Sequence, residues 1–424
     1  MKTFSIKTLG CKVNQYESQV IRERLQAQGL SEANGAADIC VVNTCTVTAS
    51  ADRKSRNAIR GAHRNNKKAK IVVTGCLVKF DKQMLVNIGN IDYIIPKSFF
   101  SGGISYFSHH ARAFVKVQDG CDNHCSYCKV SLVRGKSRSR PLKEITEEVR
   151  RLALCGFKEI VLTGVCIGSY GLDLKPRMTL AMLIEELLKL SELRRLRLSS
   201  IEPNFVSKEL IDIFSVSGKL CPHIHIPMQS GDNKILKLMN RNYTREDYVS
   251  LAEEIKKKIP QVSLTTDVLL GFPGEEDENF ANTLKTLRQV RPLRIHGFIY
   301  SKRDRTAAAR SKNDGFNQFE LSQRMNQLNL LAEELSYEFR NSFLNKKLYV
   351  LAEDFKNGQL SGYSGNYIKV DFLGDFKHIN QVLPVRIEEV KRGFTKGVIL
   401  LDQKQGSGDI SYCNVRSYEK QLKR

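Results

Sequence analysis

The sequence predicts an α/β protein in three parts: a doubly wound parallel sheet over 1–98, a partial (βα)6 barrel over 112–340 and a small antiparallel β-barrel over 341–402, with a basic tail at 403–424. Three patterns carry this prediction. Apolar strands alternate with helices in the first part, and the same alternation continues through six strands in the second. The third part contains short strands that are separated by turns rich in Gly and Asn.

The N-terminal part alternates strands and helices. Apolar runs and helical spacing predict strands at Thr3–Leu9, Asp38–Asn43, Lys70–Thr74 and Tyr93–Ile95, and helices at Gln15–Gln28, Ser50–Arg64 and Lys82–Ile88. Cys11, Cys45 and Cys76 each follow one of the first three strands. Because the carboxyl ends of parallel strands line one crevice, these thiols are expected to converge there. The alternative is three unrelated buried cysteines.

The remaining cysteines outside the central motif show no such regularity and are interpreted as packing residues: Cys40, Cys155, Cys166, Cys221 and Cys413. Residues 97–111 are expected to form a linker. Its paired His109 and His110 are interpreted as solvated side chains, with metal binding as the alternative.

The central part repeats strand and helix. Strands are predicted at Ala113–Val117, Glu159–Thr163, Arg195–Ser199, His223–Ile226, Ser263–Leu269 and Arg294–Phe298, and helices near Leu142–Leu154, Leu180–Leu190, Ser207–Phe214, Arg245–Lys257 and Glu276–Arg288. Six such strands predict an incomplete parallel barrel, in which function lies at the carboxyl ends of the strands. Polar residues and glycines follow these strand ends: Thr163, Gly164, Ser200, Glu202, Gln229, Gly271 and Lys302. Each alone is an ordinary turn residue, but their shared position favours a ligand site.

Cys121, Cys125 and Cys128 form a C-x3-C-x2-C loop directly after the first central strand. Soft thiolate ligands select iron–sulfur clusters, zinc or Cu(I). A four-iron cluster usually takes four thiolates, so three would leave one iron open for another ligand. The alternative is a structural zinc site with His124 or a distant cysteine as the fourth ligand.

The C-terminal part changes composition after a long predicted helix near Gln318–Phe343. Short alternating strands are predicted at Leu348–Ala352, Tyr367–Phe372, Leu383–Val390 and Thr395–Leu401. Strands of this length with Gly- and Asn-containing turns predict a small β-barrel, a fold that often binds oligonucleotides.

The charge balance indicates a polyanionic partner. The chain has 67 Lys and Arg against 45 Asp and Glu, a formal net charge of +22. A stretch from Arg53 to Lys70 holds basic residues and no acidic ones, which favours phosphate contacts over a merely solvated helix face. The candidates on this helix are Arg53, Arg56, Arg60 and Arg64, and a second basic group after the cysteine loop is Arg134, Lys136, Arg138, Arg140 and Lys143.

Neither a secretory signal between Met1 and Asn14 nor an apolar run of about 18 residues is visible. A cytoplasmic protein with reduced thiols is therefore expected, with no membrane partner.

Taken together, the motifs resemble the radical S-adenosylmethionine (SAM) methylthiotransferase family over roughly residues 1–402. The stretch Leu9–Ser18 is similar to the branch that acts on N6-threonylcarbamoyladenosine in tRNA. Asn43–Thr48, Thr74–Cys76 and Asp267–Glu275 match the family as well, and the last domain resembles the TRAM RNA-binding module. Two positions differ from the family. Cys166 replaces the Asn of its Thr-Gly-Val-Asn run, and Arg305 replaces the Gly of its Arg-x-Gly-Thr run.

This resemblance implies two [4Fe-4S] clusters, one on Cys11, Cys45 and Cys76 and the other, which binds SAM, on Cys121, Cys125 and Cys128. It implies methylthiolation of C2 of adenosine 37 and SAM contacts by the C-terminal strand ends: Tyr127, Thr163, Gly164, Ser200, Glu202, Gln229, Asp267 and Gly271. A carboxylate on the substrate needs a cation, for which Arg303 and then Lys302 are the candidates. The expected partners are tRNA and an electron donor such as flavodoxin or ferredoxin, but not DNA. No catalytic side chain is assigned.

Other functions remain open at this point. They are methylthiolation of isopentenyl-adenosine in tRNA, methylthiolation of a ribosomal protein aspartate, and a zinc-bearing RNA-binding protein without enzymatic activity.

Overall fold

The computed structural model describes residues 2–80, 82–97, 102–108, 110–311 and 316–400. The predicted tail 403–424, with Cys413, lies outside these residues, as do His109 and Leu401. No helix within the described ranges is both long and apolar enough to cross a membrane.

The N-terminal part is a five-stranded parallel sheet with helices on both faces. Its elements are β1 (Thr3–Thr8), α1 (Lys12–Ala27), β2 (Ser31–Glu32), β3 (Ile39–Thr44), α2 (Ala49–Asn65), β4 (Lys70–Gly75), α3 (Cys76–Phe80), α4 (Lys82–Ile88) and β5 (Tyr93–Ile94). The strand order is β2-β1-β3-β4-β5, so the chain reverses its direction of winding between β1 and β3. Ligands in such sheets bind at this reversal.

Alternating side chains of the strands fill the two faces of this sheet. Val42 and Val73 pack with Ile59 of α2 on one face, whereas Val41 and Val72 pack with Ile21 of α1 on the other. This two-sided burial explains the continuous apolar runs from which the strands are predicted.

The central part contains β6 (Arg112–Lys116), β7 (Gln118–Asp119), α5 (Val130–Arg134), β8 (Arg138–Ser139), α6 (Leu142–Leu154), β9 (Glu159–Thr163), α7 (Leu180–Leu188), β10 (Arg195–Leu198), α8 (Lys208–Val216), β11 (His223–His225), α9 (Asn233–Leu238), α10 (Arg245–Lys258), β12 (Ser263–Leu270), α11 (Asp277–Val290), β13 (Arg294–Ile299) and the long α12 (Gln318–Asn341). Two three-stranded parallel sheets, β6-β9-β10 and β11-β12-β13, meet at a bridge between Leu196 and Leu220. Together they form the six-stranded partial barrel.

Helix α1 of the N-terminal sheet covers the β6 edge of the barrel. Tyr16 and Val20 of α1 belong to the same buried core as Phe114 and Val115 of β6. The Tyr16 hydroxyl donates to Glu148 Oε1 of α6 at 2.9 Å. The two domains therefore share a core rather than a hydrated interface.

The C-terminal part is a closed five-stranded barrel of β14 (Lys347–Lys356), β15 (Gln359–Ser364), β16 (Lys369–Leu373), β17 (Val382–Val390) and β18 (Thr395–Ile399). It differs from the expectation in two ways. Strand β15 was not predicted, because its Ser and Gly residues suggest a turn. The β16–β18 pair is parallel, so the barrel is not wholly antiparallel.

An aromatic and cationic cluster, which we call the base cluster, joins this barrel to the amino ends of the central strands. Tyr367 stacks on Tyr363 and on His223 of β11, with ring centroids 4.8 and 4.5 Å apart. Arg197 of β10 lies over the Tyr367 ring and donates to the Ser364 and Gly365 carbonyls. Arg197 also forms an ion pair with the fully buried Glu159. Burial alone would raise the pKa of Glu159, but this pairing lowers it to about 2.

Candidate active site

Cys11, Cys45 and Cys76 lie at neighbouring strand ends of the N-terminal sheet. Cys11 precedes α1, Cys45 follows β3 and Cys76 opens α3, and these elements follow the adjacent strands β1, β3 and β4. Gly10 has a φ of +96°, and a Cβ at this position would lie 2.7 Å from Cys45 Sγ. The loop before Cys11 therefore lies directly against Cys45. Burial, together with the neighbouring Cys76 and Cys11, raises the pKa of Cys45 to about 11.

Cys121, Cys125 and Cys128 lie on the loop between β7 and α5, where donors approach their sulfur atoms. The backbone N–H groups of Asn123 and Val130 each lie 3.4 Å from a cysteine Sγ, of Cys121 and of Cys128 respectively. Hydrogen bonds to sulfur are one of the protein's means of tuning an iron–sulfur cluster. The donor set therefore fits a cluster held by three thiolates.

The spacing of the sulfur atoms also bears on the zinc alternative. Tetrahedral zinc with bonds of about 2.3 Å would hold two sulfurs roughly 3.8 Å apart. Among the described residues, neither cysteine triplet forms a group whose ligand atoms lie within 4.8 Å of one another. In this arrangement neither triplet is preformed for a single zinc ion.

Arg241, which follows α9, was not anticipated from the sequence. Its Nη1 donates to Cys125 Sγ at 3.1 Å, and its Nε donates to the Tyr243 hydroxyl at 3.1 Å. Its Nη2 pairs with Glu202. Burial raises the pKa of Cys125, whereas the Arg241 charge lowers it. Arg241 thus connects a predicted cluster ligand with a predicted SAM contact.

Cys166 is a second unanticipated residue of the site. It was interpreted as a packing residue, but its thiol donates a hydrogen bond to Cys121 and thereby lowers the pKa of Cys121 to about 7. The same bond, followed by burial, raises the pKa of Cys166. Its position three residues after the end of β9 could have indicated that Cys166 belongs to the site.

The residues predicted to contact SAM lie around the carboxyl end of the barrel. Thr163 ends β9, Gln229 takes a φ of +65° beside β12, and Gly271 donates its N–H to Glu275. Tyr127 packs edge-on against Phe272, and Ser200 is exposed. All of these lie on the side of the barrel that carries the cysteine loop.

Asp267 lies deeper, within β12. Its Oδ2 is 3.3 Å from Nε2 of His225, and Asp267, His225 and His296 have ligand atoms within 4.8 Å of one another. Thr265 Oγ1 lies 2.9 Å from the other ring nitrogen of His225 and so orients its ring. This polar layer below the strand ends was not anticipated.

Arg303, the first candidate for binding the substrate carboxylate, makes its contacts within the protein. It is buried, pairs with Asp52 of α2, and donates to the Thr46 carbonyl at 2.9 Å. The structure therefore corrects the expectation of a carboxylate receptor, because Asp52 already supplies the carboxylate. Lys302 is exposed on the same loop.

Beside this pair, Lys129 and Arg305 both lie over the ring of Phe80. Lys129 Nζ is 3.3 Å and Arg305 Cζ is 5.1 Å from the ring centroid. Burial, followed by the charge of Arg303, lowers the pKa of Lys129 to about 8.

A buried charge cluster centred on Glu17 of α1 fixes the two cysteine triplets relative to each other. Glu17 pairs with Lys97 at 2.6 Å, with Arg134 at 3.2 Å and with Lys116 at 3.4 Å. Arg134 comes from α5, directly after the second triplet, whereas Glu17 lies on α1, which Cys11 of the first triplet precedes. Arg134 is buried and thus not the phosphate contact expected of it.

The remaining basic candidates divide by exposure. Arg140 is also used internally, since it donates to the Tyr16 hydroxyl and pairs with Glu148. On α2, Arg56 is half-buried against Met84. The exposed cations that remain are Arg53, Arg60, Arg64, Lys136, Arg138 and Lys143.

Comparisons with known proteins agree with this arrangement. Residues 115–287 match the radical SAM superfamily, and residues 3–96 match the uncharacterized protein family UPF0004. The chain is 33% identical to the threonylcarbamoyladenosine tRNA methylthiotransferase MtaB of Bacillus subtilis and 34% identical to that of Thermotoga maritima, each over 94% of this chain and 96% of the relative. It is also 33% identical to the tRNA-2-methylthio-N(6)-dimethylallyladenosine synthase of Staphylococcus haemolyticus, over 92% of this chain and 84% of that one.

Among solved structures, the radical SAM methyltransferase TsrM of Kitasatospora setae has a similar fold. The TM-score is 0.51 at 14% identity, over 72% of this chain and 76% of that one.

Proposed function

Because this chain belongs to the radical SAM methylthiotransferase family, in the branch of the threonylcarbamoyladenosine tRNA enzymes, we propose that its two cysteine triplets divide the reaction between them. The enzyme methylthiolates C2 of N6-threonylcarbamoyladenosine 37 in tRNA by radical SAM chemistry. Its cofactors are [4Fe-4S] clusters and SAM. The observation that supports the division is the Glu17 cluster, which joins α1, the helix after Cys11, to α5, the helix after Cys128.

Cys121, Cys125 and Cys128 hold the cluster that binds SAM, and Cys11, Cys45 and Cys76 hold the cluster that serves sulfur transfer. When bound, these groups and SAM would supply the radical and sulfur-transfer chemistry that an aromatic C–H bond requires, because such a bond has no acid–base route.

The protein's side chains hold and enclose these groups. Arg241 positions Cys125 and Glu202 together at the carboxyl end of the barrel. The base cluster closes the opposite end, and α1 covers the β6 edge, so water is excluded from two sides. Tyr127, Thr163, Gly164, Ser200, Gln229, Asp267 and Gly271 remain the proposed SAM contacts. The division into parts at 1–98, 112–340 and 341–402 remains proposed too, as does a flavodoxin or ferredoxin as electron donor.

The function is tested with anaerobically reconstituted protein and two tRNA substrates. We expect near eight irons per chain, as two four-iron clusters require. Mass spectrometry of digested nucleosides should show the methylthio product from tRNA that carries threonylcarbamoyladenosine and none from tRNA that carries isopentenyl-adenosine. Product from the second tRNA alone would assign the chain to the other tRNA activity. Stoichiometric zinc without iron would exclude the proposed radical SAM activity.

tRNA binding is expected to depend steeply on salt, because Lys and Arg contacts release condensed counterions. Arg60 and Arg64 are exposed in the C-terminal half of α2, the helix that follows Cys45. Replacing both with Glu should flatten the plot of log Kd against log salt by about one unit for each phosphate that the protein no longer neutralises. Lys257→Glu on the outer helix α10 is the control, since it changes net charge far from the strand ends. An unchanged slope in the double variant would exclude α2 as an RNA surface.

A further inference from the structure

The thiol of Cys166 and the sulfur of Cys121 meet although they come from two different loops. Cys166 lies on the loop after β9, and Cys121 lies on the cysteine loop after β7. The N–H of Cys121 donates to the Gly135 carbonyl at 3.0 Å. The N–H of Cys166 donates to Gln118 Oε1 at 2.9 Å. Hydrogen bonds of the protein itself therefore fix the backbone on both sides of the sulfur–sulfur contact.

Gln118 joins these two loops. Its side chain is fully buried, and its Oε1 accepts from the N–H groups of Val165 and Cys166. Its Nε2 donates at 2.8 Å to the carbonyl of Gly120, the residue before Cys121. One buried amide thus holds the start of the cysteine loop at a fixed separation from the backbone of Cys166, since breaking either hydrogen bond would leave a buried polar group unpaired.

The direction of the hydrogen bond between the two sulfurs follows from their neighbours. As a cluster ligand, Cys121 is a thiolate and has no proton to donate, so the shared hydrogen belongs to Cys166. Asn123 Nδ2 lies 3.9 Å from Cys166 Sγ and donates to it. An amide N–H, a thiol S–H and a thiolate thus form a short chain of donors. Cys166 is only 5% exposed, so water has little access to this bond.

Hydrogen bonds to its ligand sulfurs are one of the factors that set the reduction potential of an iron–sulfur cluster. Reduction adds negative charge, so a donor stabilises the reduced form more than the oxidised form and raises the potential. Cys125 and Cys128 receive a guanidinium and a backbone N–H, whereas Cys121 also receives a neutral side chain, that of Cys166. A substitution can therefore remove this one donor without changing the charge of the site.

We propose that Cys166 raises the reduction potential of the SAM-binding cluster by donating its thiol hydrogen to Cys121, a role that rests on the proposed function. Asn123 supports this bond from the other side of the thiol. Cys166 is a positioning residue, because it acts through a cluster ligand. The consequence concerns the electron donor: with this thiol in place, the cluster accepts an electron from a less strongly reducing partner than it would otherwise need.

The test is a redox titration of anaerobically reconstituted protein, followed by electron paramagnetic resonance. The cluster on the Cys121 loop is identified as the one whose spectrum changes when SAM is added. Cys166→Ala should shift its midpoint to a more negative potential, by up to about tenfold in the reduction equilibrium, which is about 59 mV for one electron. Cys166→Ser keeps a donor of similar shape and should retain most of the wild-type potential.

Cys221→Ala is the matched control. Cys221 is another buried thiol of the central part, but its Sγ lies 3.8 Å from Glu159 Oε2 in the base cluster. This variant should leave the midpoint unchanged. Asn123→Ala is a second test variant, because it removes the donor to the Cys166 sulfur and keeps the backbone N–H that reaches Cys121. It should shift the midpoint in the same direction as Cys166→Ala, by a smaller amount.

An unchanged midpoint in Cys166→Ala overturns the proposal. Equal shifts in Cys166→Ala and Cys166→Ser overturn it as well, since a loss common to both would come from packing and not from the hydrogen bond. If Cys166→Ala does not load its cluster, Asn123→Ala decides, and an unchanged midpoint in that variant is then the contrary result. Failure of the proposed function is distinct, because the wild-type protein would then bind no iron or yield no methylthio product.

Discussion

Cys125→Ala is expected to abolish cleavage of SAM to 5′-deoxyadenosine, whereas Cys45→Ala should retain that cleavage and lose the methylthio product. Cys125 lies on the loop whose three thiolates leave an iron open for SAM. Cys45 belongs to the N-terminal sheet and shares no loop with it. Chromatography of the nucleoside products, with tRNA present, measures both activities in one reaction.

Cys40→Ala is the control for this pair, because Cys40 lies on β3, the strand that Cys45 follows, and outside both triplets. It should retain both activities. If Cys45→Ala protein cannot cleave SAM although its second cluster is present by spectroscopy, the proposed division between the triplets is wrong.

Glu17→Gln is expected to destabilise the protein by about 3–5 kcal/mol, since it removes one partner of a buried ion cluster and leaves its cations uncompensated. The Glu17 side chain is 7% exposed and pairs with Lys97, Lys116 and Arg134. The shift of the guanidinium midpoint measures the effect. Glu23→Gln on the same helix is the control. Glu23 accepts hydrogen bonds from Ser105, an uncharged partner, so its loss should cost roughly 1 kcal/mol.

The same cluster gives the wild-type protein a pH dependence. Burial raises the pKa of Glu17, but Lys97, Arg134 and Lys116 outweigh it, so the pKa lies below the ordinary 4.5. The stability that Glu17 contributes is therefore present above pH 4.5 and is lost as pH falls through its lowered folded-state pKa. Glu17→Gln should remove this part of the acid sensitivity. An unchanged midpoint in the variant at neutral pH would show that Glu17 does not hold the domains together.

Much of the fold could be predicted because strands buried on two faces leave continuous apolar runs, as at Ile71–Val73. Convergence of Cys11, Cys45 and Cys76 followed from the same pattern, since parallel strands fix where their ends lie. Strand β15 was not predicted because its packing depends on Gly362, where a Cβ would lie 1.9 Å from the Leu351 carbonyl oxygen. From composition alone, a glycine at such a position predicts a turn rather than a strand.

The site was harder to predict wherever a side chain depends on a distant partner. Arg303 pairs with Asp52, which lies 251 residues earlier in the chain, so no local sequence pattern predicts that ion pair. Arg241 reaches Cys125 from a helix end across the barrel mouth. Cys166 resembles an ordinary buried thiol until the fold brings it to Cys121. In each case tertiary contact, not local propensity, assigns the role.

The position of the base cluster, the aromatic and cationic group around Tyr367, sets a minimum length for any RNA that contacts both ends of the central barrel. It fastens the C-terminal barrel to the amino ends of the central strands, whereas the loop with Cys121, Cys125 and Cys128 lies on the side of their carboxyl ends. The longest central strand, β12, has eight residues, so at about 3.3 Å per residue the two ends are separated by roughly 26 Å. Any RNA held by both must be long enough to run the full height of the barrel. A tRNA arm meets that requirement, whereas a free nucleoside can touch one end only. If the C-terminal barrel binds RNA, this separation therefore favours substrates that span the height of the central barrel.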